Sequence, residues 1–410
     1  MAAAHPGPAA AVTALLVRHA DLYDPEPRGI VDVLAVGEKV VAVGERLPRP
    51  RLGADADLEV VDLRGGKLVP GFVDMHVHLA GGGGEGGFLN RTPSVPLSAL
   101  ARAGTTTAVG LLGTDGVTRS VQELLAVVRA VNDAGLTAYM FTGAYEMPTR
   151  TITGSVRADI VLIDRILGTG EIALSDDRSS HPSEDDLAHL AAETRVGGLL
   201  AGKAGVLHLH MGSGRRGLTP VLDLLRQRDL PAGMFVPTHV NRRQALLEQA
   251  VELAALGAGI DLTTGFEPPP DTPPERRSVA AGQALAQLLA AGVALDRITL
   301  SSDAGGSAPV FDERGDLVGI GVGHPSELWH GARKAVVAGD VALASALACV
   351  TRNPARRLRL AAKGRVRPGS DADLVALDDD LGVARVWARG RLVARGGRAL
   401  LHGPFEGAYA

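Results

Sequence analysis

Short apolar runs recur between positions 71 and 302, bounded by Gly, Asp, Ser or Thr and separated by longer stretches with helical spacing. The runs read GFVDMHVHL, TTTAVGLLG, TAYMFTG, EIALS, GVLHLHM, MFVPTHV, IDLTT and ITLSS. Apolar residues fill most of these positions instead of strictly alternating, the pattern of parallel strands buried on both faces. Between them, residues 121–131, 184–200, 219–228, 242–256 and 282–291 carry helical spacing. The Pro-rich EPPPDTPPE at 267–275 predicts a loop after the seventh strand.

Eight strand-like runs alternating with helices predict an α/β fold, a (β/α)8 TIM-type barrel. From position 14 to 61, stretches such as VDVLAVG and KVVAVG predict a small antiparallel β unit. Residues 373–377, 385–388 and 391–394 repeat that style after the turn Pro368-Gly369. The two chain ends together predict a small β-sandwich domain, which divides the chain into 1–68, a barrel at 69–360, and 361–410.

At 46% hydrophobic and 21% charged residues, the chain has the make-up of a soluble globular protein. Its formal net charge of -4 provides no basic field, so nucleic acid and anionic membrane are not expected partners and a small molecule is. A single cysteine, Cys349, lies in the apolar ALASALACV, which excludes an internal disulfide and fits core packing in a reducing compartment. The start MAAAHPGPAAAV has no signal-like pattern, and no window approaches the roughly 18 apolar residues of a spanning helix. A cytoplasmic location is expected.

The polar surprises fall at the C-terminal ends of the proposed strands, where barrel enzymes place their chemistry. His76 and His78 alternate with apolar residues and so share one side of the first strand. His210 ends GVLHLHM, His239 ends FVPTH and Asp303 follows ITLSS. Imidazole and carboxylate suit zinc and similar ions, and five such groups in equivalent places are hard to explain as packing. His208 is a weaker alternative to His210, since the same alternation turns both inward. His19, His181 and His330 read as surface or packing residues.

This set, a strand-one His-x-His, single His residues after strands five and six and an Asp after strand eight, resembles the amidohydrolase superfamily, as do the flanking β unit and the tail GRVRPGSDADLVALD. More narrowly, HLAGGGGE, GLLGTDG, TGAYEMPTRTITGS, SDDRSS, VGGLLAGKAG, PTHVNR and LSSDAGGS resemble the isoaspartyl (β-aspartyl) dipeptidases, from about position 14 to the C-terminus. Those enzymes usually bridge two metals with a carbamylated lysine on strand four, whereas GTGEIALSDDRS offers Glu171. A glutamate keeps the charge and both oxygens but is shorter, so the strand or its register must move inward. Asp176 or Asp177 as bridge, or a single-metal site, are the alternatives, and Lys203 in GKAG reads as structural.

The resemblance implies two divalent metals, zinc first, and hydrolysis of a β-aspartyl isopeptide bond by a metal-bridging hydroxide. Asp303 is then general base and acid, and Tyr145 an oxyanion donor. Arg178 and Arg242 suit the two substrate carboxylates and Glu85 the ammonium, with Gly83, Thr114 and Ser307 as lesser contacts. GGGGE lacks the Lys-Ser/Thr of a phosphate loop. Other expectations are a homo-oligomer, with an octamer among the options, another amidohydrolase reaction on a cyclic amide or N-acyl amino acid, or a catalytically silent scaffold.

Overall fold

The computed structural model describes residues 14–53, 57–266, 277–311 and 317–407. The N-terminal run before Ala14 and the Pro-rich segment expected as a loop lie outside the described residues. Five strands come first: β1 (Ala14–Tyr23), β2 (Pro27–Val36), β3 (Lys39–Gly44), β4 (Leu58–Asp62) and β5 (Lys67–Pro70). Eight more follow at the eight apolar runs: β6 (Phe72–Val77), β7 (Thr105–Gly110), β8 (Thr137–Thr142), β9 (Ile166–Leu174), β10 (Val206–Met211), β11 (Phe235–Thr238), β12 (Ile260–Thr263) and β13 (Ile298–Ser301). A hairpin, β14 (Ser307–Phe311) and β15 (Leu317–Val322), precedes the C-terminal strands β16 (Leu374–Leu377), β17 (Val383–Ala388), β18 (Arg391–Arg395) and β19 (Arg398–Ala399).

Strands β6 to β11 pair in parallel in sequence order, and β12 pairs with β13 in parallel. The amide of Gly259 donates to Phe235 O at 2.9 Å and that of His78 to Ala304 O at 2.8 Å, so the β12–β13 pair sits between β11 and β6. This is the TIM-type barrel. Its strands are buried along their whole length, as their near-continuous apolarity requires. Helices Val121–Asp133, Glu184–Ala201, Thr219–Gln227, Gln244–Ala255 and Ala281–Ala290 occupy the expected intervals. Further helices lie at Leu97–Ala103, Val156–Leu162, Glu327–Ala338, Leu343–Val350 and Arg352–Arg357, outside the expected intervals, and all but Glu327–Ala338 are eight residues or shorter. Cys349 is buried and free in one of them.

The two chain ends meet in one nine-stranded sheet ordered β19-β18-β17-β16-β5-β1-β2-β3, with β4 on β1. It departs from the expected antiparallel unit, because β4 and β5 both run parallel to β1. The long connection from β3 to β4 lets the chain cross back before pairing, which a tight hairpin turn does not.

Strand β9 begins five residues earlier than the sequence pattern indicates, at Ile166 instead of Glu171. Its glycines resemble turn residues but serve close strand approach: a Cβ on Gly168 would stand 2.1 Å from Val206 O, and one on Gly170 2.7 Å from His208 O. The pairing steps from Leu207↔Thr169 to Leu209↔Ile172, so β9 holds one extra residue there, a bulge.

Lys363 ties barrel to end sheet. Its ammonium, 5% exposed, donates to Thr137 Oγ1 at 2.7 Å and Asp373 Oδ2 at 2.6 Å, and lies 2.8 Å from Asp371 Oδ2. Trp329 adds a second tie by stacking on Phe72 at 5.1 Å and donating to Leu381 O at 2.7 Å. Burial alone lowers the Lys363 ammonium, but Asp373 and Asp371 outweigh it and raise the group above its ordinary value. Its contribution to stability is therefore complete below an unfolded value of about 10.4 and is lost as pH rises through the folded one. Lys363→Ala leaves the buried Asp373 without its cation, while Asp371 keeps Lys39 at 2.6 Å, and is expected to cost roughly 3–5 kcal/mol, read as a lowered urea midpoint with an unchanged slope.

Candidate metal centre

At the C-terminal mouth of the barrel, His76 and His78 come from β6 and the residue after it, Glu171 from β9 and His210 from β10. His239 follows β11, and Asp303 lies two residues beyond β13. All are buried except Asp303, whose side chain is 19% exposed. His239 and Asp303 have φ of 60° and 55°, sparsely populated values for such residues that cluster at functional sites.

Glu171 stands at the centre and divides its two oxygens. Oε1 lies 3.6 Å from His76 Nε2 and 3.4 Å from His78 Nε2; Oε2 lies 3.2 Å from His210 Nδ1 and 3.7 Å from His239 Nε2. Asp303 Oδ1 joins the first pair, 3.3 Å from His76 Nε2 and 3.1 Å from His78 Nε2. His76 Nε2, Glu171 Oε1 and Asp303 Oδ1 are buried without a hydrogen-bond partner among the described residues, although they converge. Orphaned buried polar atoms are costly, and a divalent cation among them satisfies all three. The residues therefore fit a metal. Three overlapping groups have the required closeness: His76, His239 and Asp303; His76, His78 and Glu171; Glu171, His210 and His239.

Charge follows this geometry. Burial works against the carboxylate of Glu171, but the imidazoles of His76 and His210 hold it well below the usual range. Asp303 is held low in the same way by His76 and His78. Burial also lowers His78, yet Asp303 and Glu171 prevail and raise it to about 9. His239, in which burial dominates, falls to about 3.

Behind the inner ring lies a second set of groups that the sequence reading did not single out for this role. His208 Nε2 is 2.8 Å from His76 Nδ1, Asp176 Oδ2 is 3.0 Å from His210 Nε2, and Thr263 Oγ1 is 2.6 Å from His239 Nδ1. Such partners fix the ring orientation of a metal-binding histidine. His208 shares the inward face of β10 with His210 but sits two residues deeper, where it meets the His76 ring. Asp176, weighed as a bridge, lies on the far side of His210 from Glu171. Lys203 is structural as expected, donating to Ile160 O at 2.6 Å and Ile163 O at 2.7 Å.

The other expected residues gather around this centre. Glu85 Oε1 accepts from Thr114 Oγ1 and Arg178 Nη1, and Oε2 from Ser307 Oγ, each at 3.0 Å. Gly83, in the same loop, bridges to Arg91. Tyr145 Oη lies 2.7 Å from His210 Nδ1. Arg178 gives its fork to Asp176 in two 2.9 Å bonds and lies 5.3 Å from the Tyr145 ring centre. Arg242 is less engaged: its guanidinium lies 5.1 Å over the Phe266 ring and its Nε has no partner among the described residues.

Residues 271–393 match the amidohydrolase family model. The structure of a β-aspartyl dipeptidase from Fervidobacterium islandicum, solved with β-Asp-Leu, is 39% identical with a TM-score of 0.85, and the match covers 94% of this chain and 98% of that one. The chain belongs to the β-aspartyl dipeptidase family. It is accordingly an enzyme, a hydrolase of the amidohydrolase superfamily, whose members depend on metal. More distant similarity reaches dihydroorotases: that of Clostridium acetobutylicum is 26% identical over 167 residues, 40% of this chain and 35% of its own length. That of Elusimicrobium minutum is 25% identical over 400 residues, 88% of each chain.

For this β-aspartyl dipeptidase relative, the contact behind His76 has a measurable consequence. His208→Ala frees the His76 ring, and metal affinity is expected to fall about 10- to 100-fold in a chelator competition while the fold persists. Unchanged affinity would remove His208 from that role.

Proposed function

We propose that this chain hydrolyses the isopeptide bond of β-aspartyl dipeptides with two divalent ions, zinc first among them. His76, His78 and Asp303 would hold one ion and His210 and His239 the other, with the Glu171 carboxylate available to both. The observation that carries this reading is the division of Glu171, one oxygen towards each histidine pair. When bound, such ions would supply a water acidic enough to attack near neutral pH and would polarise the scissile carbonyl.

Asp303, anionic and partly exposed, takes a proton from the attacking water and returns it to the departing amine as the C–N bond breaks. The Tyr145 phenol is raised well above its ordinary value by burial first and the Glu171 charge next, so it stays protonated and can donate to the developing oxyanion. Arg242, whose Nε has no partner among the described residues, makes the two-pronged bond to one substrate carboxylate. Arg178, already forked to Asp176, offers Nη1 to the other. Burial disfavours the Glu85 carboxylate, but hydrogen bonds from its own backbone, Thr114 and Ser307, together with Arg178, keep it charged for the substrate ammonium. Ser307, Thr114 and Gly83 complete the pocket. In the same reading 1–68 and 361–410 form a β-sandwich domain beside a barrel at 69–360, and the enzyme works as a homo-oligomer in the cytoplasm.

Similarity to dihydroorotases favours cyclic-amide hydrolysis as a second reading. With zinc supplied, β-Asp-Leu is expected to turn over while α-Asp-Leu and dihydroorotate do not; preferred cleavage of dihydroorotate would overturn the first reading. A carboxylate encoded in the chain cannot be lost as carbon dioxide, so stripping bicarbonate is expected to leave metal content and turnover unchanged. Glu171→Gln removes one charge between two cations, and elemental analysis is expected to show less than two equivalents of metal per chain.

A further inference from the structure

The face of the barrel opposite the metal centre, where β10, β11 and β13 begin, holds a second concentration of charge. A cavity of about 320 Å³ opens there, walled by Arg195, Arg297, Arg356, Arg357 and Arg359 against one carboxylate, Asp296. Arg356 Nη1 pairs with Asp296 Oδ2 at 2.9 Å. The remaining four guanidinium groups have no carboxylate partner among the described residues, in a chain whose net charge is -4.

Main-chain carbonyls hold three of the four in place. Arg357 Nη1 donates to Gly233 O at 2.8 Å, Arg359 Nη1 to Lys203 O at 3.2 Å, and Arg297 Nη1 to Gly257 O. Each of these bonds uses one of the five N–H donors of a guanidinium, so donors remain on every arginine. Glycine makes room for the group, since a Cβ on Gly259 would stand 3.0 Å from Arg357 Cζ. Burial, then the charge of Arg297, lowers the Arg357 guanidinium from its ordinary range, the mark of like charges crowded together.

A cleft lined by one sign of charge concentrates counter-ions, and guanidinium forks match oxyanions. A carboxylate offers two oxygens and one charge; a phosphate group carries about two charges and three free oxygens, closer to what four arginines can satisfy. The volume sits at the lower end of the about 300–1,000 Å³ of ligand pockets, which suits a small molecule. We propose that this basin binds a phosphate-bearing small molecule through Arg195, Arg297, Arg357 and Arg359. Its occupancy braces the starts of β10, β11 and β13, the strands that lead to His210, His239 and Asp303.

The test titrates the full-length, metal-loaded protein with inorganic phosphate and separately with ADP at constant ionic strength, by calorimetry and thermal unfolding. R357Q and R195Q are measured alongside. Arg195 lies part-exposed on the helix Glu184–Ala201, so its variant keeps the test open if R357Q fails to fold. Saturable phosphate binding with a raised melting midpoint is expected, at least about tenfold weaker in the variants, with circular dichroism and metal content unchanged. ADP binding equal to phosphate supports the phosphate group itself as ligand, and ADP binding tenfold tighter supports a nucleotide as its source. Equal binding by wild type and variants would put the anion on the metals and overturn the proposal. So would absence of saturable binding, or an R195Q protein whose only change is its sedimentation, which would make acidic groups of a second copy the partner.

Discussion

Glu171 places a carboxylate where its side chain is 1% exposed, and the barrel mouth is organised around compensating that charge. A buried charge without partners costs far more than a fold of marginal stability can absorb. Here four imidazoles from the C-terminal ends of β6, β10 and β11 surround it, two on each oxygen, and His76 Nε2, without a hydrogen-bond partner among the described residues, faces both Glu171 and Asp303. Neither the carboxylate nor the histidines are comfortable alone. The arrangement makes physical sense as half of a structure whose other half is cationic, which is why the fit to divalent metal rests on the donor atoms themselves.

The same constraint reaches outward. Each imidazole must present one nitrogen at a set angle, so its other nitrogen needs a fixed partner, supplied by His208, Asp176 and Thr263 for three of the four. A further layer supports these. Asp261 accepts from Thr238 at 2.7 Å, Thr299 at 2.6 Å and Ser301 at 2.5 Å, and Asp74 accepts from Ser302 at 2.5 Å. These bonds tie β11, β12, β13 and β6 together just beneath the ligands. Buried polar networks of this kind rigidify when every member is satisfied. Burial raises Asp74 to about 7, so this floor carries less fixed charge than its composition suggests.

Rigidity is not spread evenly over the pocket. Arg178 is held by Asp176 and Glu85 and stacked on Tyr145, whereas Arg242 rests on Phe266 with part of its fork free. Two residues that look equivalent in a sequence therefore differ in what they have left to offer a ligand. At the opposite barrel face, Arg297, Arg357 and Arg359 are anchored to carbonyls and form no salt bridge among the described residues, with Asp296 the one carboxylate lining their cavity.

Much of the fold was legible in the chain because burial on both faces writes itself as unbroken apolar runs, and all eight barrel strands occur where those runs lie. Alternation placed His76 beside His78 and put His210, His239 and Asp303 at strand ends, since side-chain direction in a strand is a local property. Other features depended on partners distant in sequence. The strand expected at EIALS left out the glycines before Glu171, and only the approach of β10 shows them to be strand residues beside the bulge. The parallel run of β4 and β5 beside β1 likewise could not be read from strands whose local pattern suits either direction. The sequence by itself determined the barrel, its apolar strands and the imidazoles and carboxylates placed at its mouth. Tertiary structure alone decided which oxygen faces which histidine, that His208 and Asp176 meet the rings of His76 and His210, and that Arg242 is less engaged than Arg178, because each depends on distances between strands that local patterns do not encode.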